Sequence, residues 1–555
     1  MSNKNLGVIT QGSLSSGLEM RLNPNNSVED VRVGKFVVVE GRQNRFFSML
    51  TDVSLGTSNA KILLDPPRDD DFTAEILSGI GTFGTIKLQP MLMLERNAAS
   101  SVEELKPVKT IPTHFSNVCD AGEDDFKIVF GDEHNLDKKL FNIGRPLDMD
   151  TAICLDLDKF VERSNGIFGK SGTGKSFLTR LVLCGVIHKK AAVNLIFDMH
   201  NEYGWQARSE NKGEVTVKGL KQLFNHEVVV FTLDAESTRR RGITDAQEMY
   251  IALNQIDVED IALLKSELNL SEASIESAII LREKLGPHWL RTFLVMTNED
   301  IDIFVEQGKG HGGSLKALQR KLSKLDELKY VRSVVATDSI NAIIKYLEAG
   351  KHVILEFGSQ NNLLSYMLAT NIITRRIHKK YVEVSEAYNA DPINYPQPRK
   401  LMITIEEAHK FLDPAVAKQT IFGTIAREMR KYFVTLLIVD QRPSGIDNEV
   451  LSQVGTRITA LLNDDKDIDA VFTGVSGGNT LKTVLSQMDP KQQAMILGYA
   501  VPMPVVIRTR SYNAEFYKAL GYLEVSHENK EEIIKRGRKA EDVLAAIAID
   551  ARAAQ

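Results

Sequence analysis

Short apolar, β-prone runs separated by Gly, Asn and Asp mark the first hundred residues, at 8–10, 31–33, 36–40, 46–50, 60–64 and 85–88. Runs of this length, punctuated by turn residues, predict a small barrel or sandwich over residues 1–100. No catalytic cluster lies there, so a docking or assembly module is expected. Residues 101–160 follow as a connecting segment. Pro107, Pro112 and the acids of 120–125 predict loop, while 141–146 predicts a strand end and turn and 153–157 a strand.

From residue 161 the pattern changes. The runs 165–168, 192–197, 352–357, 400–405 and 434–439 are continuously apolar, as buried strands are. Residues 177–184 and 364–380 carry apolar positions at helical spacing, and 381–399, with three prolines, predicts an exposed loop. The alternation predicts an α/β core in two parts, 161–234 and 336–510. Between them, 235–335 has Leu and Ile at helical spacing and no strand runs, which predicts a helical insertion. Residues 511–555 predict a charged helical tail with an Ala-rich end at 545–554.

Gly169-Lys170-Ser171-Gly172-Thr173-Gly174-Lys175-Ser176 fits G-x-x-x-x-G-K-[ST] at every fixed position, between a predicted strand and a predicted helix that starts with Phe177. Glycines let the backbone wrap a phosphate, and free N–H groups with the helix dipole attract its charge. ATP and Mg2+ are therefore the expected cofactors. Lys175 would reach the β- and γ-phosphates, and the Ser176 hydroxyl would ligate magnesium. A chance Gly/Ser turn would lack both the Lys-Ser pair and these flanks.

Three further strand ends carry candidate chemistry. Asp198, with Glu202 close behind, ends the run 192–197, where ligands bind in open α/β sheets; both acids can equally be loop caps. Glu406 and Glu407 end the run 400–405. In that pattern Glu406 holds the magnesium shell and Glu407 polarises the attacking water. Gln441, after the run 434–439, can sense the γ-phosphate or orient water. Arg427 and Arg430 share a helix face by their spacing; one can act as an arginine finger towards a neighbouring subunit, or pair with Glu428. In the insertion Lys316, Arg320 and Lys324 form a basic stripe beside Leu315, Leu318, Leu322 and Leu325. It can contact DNA phosphates or be a solvated helix face. Arg239, Arg240 and Arg241 form a second basic candidate.

Composition narrows the class. Of 555 residues 43% are hydrophobic and 25% charged, so a sizeable core and roughly two to four domains are expected. The net charge of −5 argues against a generally basic nucleic-acid coat but leaves room for a local basic channel. Cys119, Cys154 and Cys184 are far apart and fit a reducing cytoplasm. No run of about eighteen apolar residues occurs, so no membrane span is expected.

Taken together, these motifs resemble the HerA family of hexameric DNA translocases, related to FtsK. The resemblance rests on the β-rich start and on Arg163-Ser-Asn-Gly-Ile-Phe-Gly before the loop. It rests equally on Asp198-Met-His-Asn-Glu-Tyr, Glu406-Glu-Ala-His, Arg427-Glu-Met-Arg-Lys-Tyr and Asp440-Gln-Arg-Pro-Ser. One departure is Glu406 where P-loop ATPases usually carry Asp. The resemblance implies a RecA-like core preceded by a HAS-barrel, and a homo-hexamer with ATP sites between subunits. It implies roles at those sites for Arg163, Glu407, Arg430 and Gln441. It also implies double-stranded DNA as substrate and a partner, either a NurA-like nuclease in end resection or an anti-phage effector, sirtuin-like or another nuclease. Two functions compete: a motor that moves duplex DNA through a ring, and an ATPase scaffold that assembles an effector with little translocation. A secretion or conjugation ATPase fits less well, because no membrane segment is expected.

Overall fold

The computed structural model describes residues 4–58, 81–95, 104–208, 216–307, 311–415, 417–418, 420–475, 478–486 and 488–522. Seven strands open it: β1 (Asn5–Ser13), β2 (Gly17–Leu22), β3 (Phe36–Glu40), β4 (Asn44–Thr57), β5 (Thr82–Glu95), β6 (Glu104–Pro107) and β7 (Asn117–Asp120). They pair in the order β2-β1-β7-β3-β4-β5, and β5 returns to β2, closing a six-stranded antiparallel barrel with β6 outside it on β5. Closure removes the exposed edges of a small sheet.

Successive residues of a strand face opposite ways, and β3 uses both faces. Val37 and Val39 fill the barrel with Leu18, Met20 and Leu50. Phe36 and Val38 point outwards into the large core of the rest of the chain. There Phe36 stacks on Phe47 at 5.3 Å, and Phe126 meets both rings edge-on.

The first 130 residues differ from the sequence expectation in several places, among them the strand Gly17–Leu22, where no run is expected, and the strand Glu104–Pro107, which ends on a proline expected in a loop. Residues 31–33 are not a strand: Val31 closes a 3-10 turn over Val28–Asp30, and Gly34 turns the chain at φ 89°. The barrel runs on to Asp120 rather than ending near 100. Strand β7 has four residues and one fully buried side chain, Val118, too little for a periodic signal; its pairing with β1 and β3 makes it a strand. The acids expected in a loop instead end β7 and form the first turn of the helix Glu123–Phe130, at the positive end of its dipole. The predicted strand at 60–64 lies outside the described residues.

The second sheet has twelve strands. Its parallel centre runs Val228–Thr232, His352–Glu356, Val193–Asp198, Leu401–Glu406, Val434–Asp440, Asn165–Phe168, Thr456–Thr459, with the short strand Gln247–Glu248 at the outer edge. Gln493–Gly498, Val505–Thr509, Leu140–Arg145 and Ile153–Asp156 continue it antiparallel. The core therefore begins at Leu140, inside the segment expected to be a connection. Fold class is α/β, a P-loop ATPase core behind a barrel. The inner strands are buried on both faces, which is why they read as unbroken apolar runs.

Helices over Glu272–Leu285, Trp289–Val295, Asn298–Glu306 and Gly312–Asp326 build the insertion. The helix expected to stop at 380 runs Leu363–Ala390, burying Tyr381 and Ser385. No residue breaks it before Asp391-Pro392, and a proline disfavours helix at the residue before it. At the C-terminal side Ala514–Ala519 is helical; the Ala-rich end lies outside the described residues.

Candidate active site

The loop Gly169–Gly174 joins a buried strand to the helix Lys175–His188. Gly172 at φ 79° and Gly174 at φ 86° occupy left-handed backbone that favours glycine. The loop is held from outside: Gly169 N–H donates to the Asp440 carbonyl (3.3 Å) and Lys170 N–H to the Leu461 carbonyl (3.1 Å). Thr173 ties it internally through its hydroxyl to the Lys170 carbonyl at 2.7 Å. Ser171 and Gly172 are exposed, leaving the cradle open. Burial lowers the Lys175 ammonium pKa, while Glu407, Asp440 and Glu406 draw it up. Ser176 lies in the first helical turn, and the Phe177 ring meets Tyr512 at 6.4 Å.

Carboxylates line the same edge of the sheet. Asp198 is in register with Glu356 on one side, Glu406 with Val439, and Phe168 with Asp440. Adjacent strand ends thus carry Glu356, Asp198, Glu406 and Asp440 in a row up to the phosphate loop, all buried. Glu406 accepts the Tyr203 hydroxyl at 2.8 Å on Oε1, and Tyr366 holds its main chain through two bonds of 3.0 Å. Burial, then the charge of Asp198, pushes its carboxyl up to about 8. Its Oε2 is buried without a hydrogen-bond partner. Such an orphan acceptor, near the Ser176 hydroxyl's helix start, fits a magnesium ion. Asp198 does not fit that role. Its oxygens accept the N–H groups of Glu202 (2.7 Å), Tyr203 (2.8 Å) and Gly204 (3.3 Å), so it is the cap of its own loop.

Glu407 turns away from the strand in left-handed backbone, φ 47°. A non-glycine residue there costs on the order of 1–3 kcal/mol and persists only when its surroundings impose it. Its Oε1 accepts Gln441 Nε2 at 2.9 Å, joining two of the predicted site residues.

Arg163, Arg427 and Arg430 are elsewhere. They line a cavity of about 600 Å³ with Arg457, Ser164 and Thr435. Arg163 and Ser164 precede the strand Asn165–Phe168, whereas the phosphate loop follows it. The arginine cavity therefore opens at the opposite edge of the sheet, a strand length of roughly 13 Å away. No carboxylate is among its lining residues. Arg163 Nε, Arg427 Nη1 and Arg457 Nε are buried without partners. The expected pairing of Arg427 or Arg430 with Glu428 is not formed among the described residues.

Comparison with known proteins adds the family. A pattern described as "Helicase HerA, central domain" matches residues 141–377, and one described as "HAS barrel domain" matches 6–109. The DNA double-strand break repair helicase HerA of Saccharolobus solfataricus is 24% identical over 86% of this chain and 87% of its own. Its counterpart in Pyrococcus furiosus is 22% identical over 91% and 92%. The chain is similar to the HerA helicases over most of its length. Its enzyme class is that of the ATP-hydrolysing P-loop proteins. Among solved structures, VirB4 of Thermoanaerobacter pseudethanolicus aligns with 68% of this chain and 98% of its own, at 12% identity and a TM-score of 0.43.

The basic candidates divide. Lys316 pairs with Asp302 at 2.7 Å, while Arg320 and Lys324 are exposed on the same helix. Arg239 pairs with Glu248, and Arg241 with the buried Glu356 at 2.5 Å. Several side chains of the site carry no motif signal. Tyr203 was visible only as the end of Asp198-Met-His-Asn-Glu-Tyr. Tyr366, Glu356 and Arg457 had no signal at all, because each acquires its place through strands or helices distant in the chain. No helix among the described residues is long and apolar enough to cross a membrane.

Proposed function

We propose that this protein is an ATP-driven translocase of double-stranded DNA, acting as a homo-hexamer in which each ATP site is completed by the neighbouring subunit. The observation that carries this is the division of the site between two edges of one sheet. Lys175, Glu406, Glu407 and Gln441 stand at the phosphate-loop edge. Arg163, Arg427 and Arg430 stand at the other, out of reach of their own loop; Arg163 Nε and Arg427 Nη1 are buried without a hydrogen-bond acceptor, and Arg430 is exposed. A ring that sets one edge against the next subunit's opposite edge brings the two halves together. The curated relatives named as DNA repair helicases support the DNA substrate.

In this reading the loop amides and Lys175 bind the triphosphate of ATP. Ser176 and Glu406 would hold magnesium, which supplies neutralisation of phosphate charge. Glu407 takes a proton from the attacking water, and Gln441 fixes the carboxylate from the side. The partner's arginines stabilise charge on the γ-phosphate as it leaves. The barrel offers a closed face on which a nuclease, NurA-like or otherwise, or a defence effector docks. The pairing of Lys316 with Asp302 favours a second reading, an ATPase scaffold with little translocation, because it weakens the one basic stripe of the insertion.

The test is a mixing experiment. Lys175→Ala and Arg430→Ala proteins should each be inactive. In mixed rings, verified by mass, some interfaces hold one intact Lys175 and one intact Arg430, and ATP hydrolysis should partly return. No recovery would remove Arg430 from the shared site, and the same test with Arg427→Ala would follow. Stimulation of hydrolysis by duplex DNA separates motor from scaffold.

A further inference from the structure

His409 and Asp440 stand directly behind Glu407. Asp440 is wholly buried at the end of its strand. Its carbonyl accepts Gly169 N–H from the phosphate loop, and its Oδ1 accepts Arg442 N–H at 2.7 Å. The remaining capacity goes to His409. The main-chain N–H of His409 donates to Asp440 Oδ2 at 2.7 Å, and its ring Nδ1 lies 3.0 and 3.2 Å from the two carboxylate oxygens. A carboxylate offers acceptors, so Nδ1 carries the proton and donates. The same Nδ1 lies 3.8 Å from Glu407 Oε2.

We propose that His409 is a positioning residue for Glu407: its imidazole fixes the turn after the Glu406 strand onto Asp440 and sets the Glu407 carboxylate relative to the phosphate loop. Three features support this. Glu407 holds a left-handed φ, which needs an external restraint, and the turn is restrained by Lys410 N–H on the Glu407 carbonyl (2.9 Å) and by the two bonds of His409. Hydrogen bonds join Gly169 to Asp440 and Asp440 to His409, and the His409 ring then lies 3.8 Å from Glu407 Oε2, so the base is placed against the loop that would hold the reacting phosphate. Finally, an N–H donor stands between two carboxylates that would otherwise repel each other. Gln441 on Oε1 and His409 beside Oε2 bracket the Glu407 carboxylate from both sides.

The proposal rests on Glu407 being the base, and the test keeps the two apart. Steady-state ATP hydrolysis and ATP affinity are measured for full-length wild type, His409→Ala, His409→Asn, Glu407→Gln and the double variant His409→Ala/Glu407→Gln. The main-chain bond to Asp440 survives in all of them, so His409→Ala removes the ring alone. We expect it to lower kcat by ~10–100-fold, the scale of a slightly misplaced catalytic group, with KM little changed. His409→Asn keeps an N–H donor near the Nδ1 position and should recover most of the loss. The double variant should be no slower than Glu407→Gln, because a residue acting through Glu407 has nothing left to position. His409→Ala turning over at the wild-type rate beside an inactive Glu407→Gln would overturn the proposal alone. So would a His409→Asn enzyme as slow as His409→Ala, or a further loss in the double variant. Wild-type turnover by Glu407→Gln would overturn the base reading, and this proposal with it.

Discussion

The two edges of the large sheet carry opposite charge. At the phosphate-loop edge Glu356, Asp198, Glu406 and Asp440 are buried in a row, answered by Lys175, Arg241, His409 and main-chain N–H groups. At the far edge four arginines line one cavity with no acid. Burying an unpaired donor costs about 1–3 kcal/mol, and buried charge is poor material for stability alone. The barrel shows what a region without such demands looks like: along its strands the buried side chains are apolar, Ser48 excepted. The contrast teaches that the two edges carry complementary groups, which is what the proposed ring would need if each edge is half of a site.

The largest expected effects break the acidic edge. Lys175→Ala should abolish hydrolysis while leaving the melting temperature near that of wild type, since the side chain neutralises phosphate rather than packing. Glu407→Gln should bind ATP normally and hydrolyse it ~10²–10⁴-fold more slowly, as loss of a general base does. Single-turnover assays with nucleotide titrations check both. If Glu406→Gln were instead the variant that binds but does not hydrolyse, the roles of the two acids would be exchanged.

A smaller effect sharpens the same edge through pH. The Glu406 carboxyl, raised to about 8 by burial and by Asp198, is mostly protonated at neutral pH before ligands bind. Magnesium requires the carboxylate, so binding displaces a proton. The affinity of the ATP complex for magnesium should rise with pH up to about 8, by close to tenfold per unit, and then level off. Titration calorimetry in buffers of different ionisation enthalpy reads the released proton. The sign for stability is the reverse. Between the ordinary carboxyl value and about 8 the folded state holds the extra proton, so stability without ligand falls as pH rises through that window. Glu406→Gln should abolish both dependences, and a flat wild-type profile would remove the assignment.

The smallest effect lies away from both edges. Replacing Arg320 and Lys324 by Ala should weaken duplex binding equally across sequences and lower the salt slope by about two. Lys316→Ala should change neither, because that ammonium already has Asp302. Equal effects of all three would mean the ion pair opens on DNA, and no effect of any would move the DNA path to Arg239 and Arg240.

The sequence alone determined the α/β core, the barrel at its start, the phosphate loop and the acid pair that ends a strand. Those features are local: a loop's glycines, a strand's apolar run and the residue after it occupy consecutive positions, so their chemistry is legible without neighbours. It did not determine where the barrel ends, because β7 exists only through its pairing with β1 and β3. Nor did it show that Asp198 caps its own loop, that Arg241 answers Glu356, or that His409 bridges Asp440 and Glu407. Tertiary structure decided these, because a buried carboxylate takes whichever donor the fold brings to it, and here those donors come from other strands and turns. The same reason explains the arginines. Their spacing put Arg427 and Arg430 on one helical face, but only the register of parallel strands, with loops of one sense at each end, placed them a strand length from their own phosphate loop.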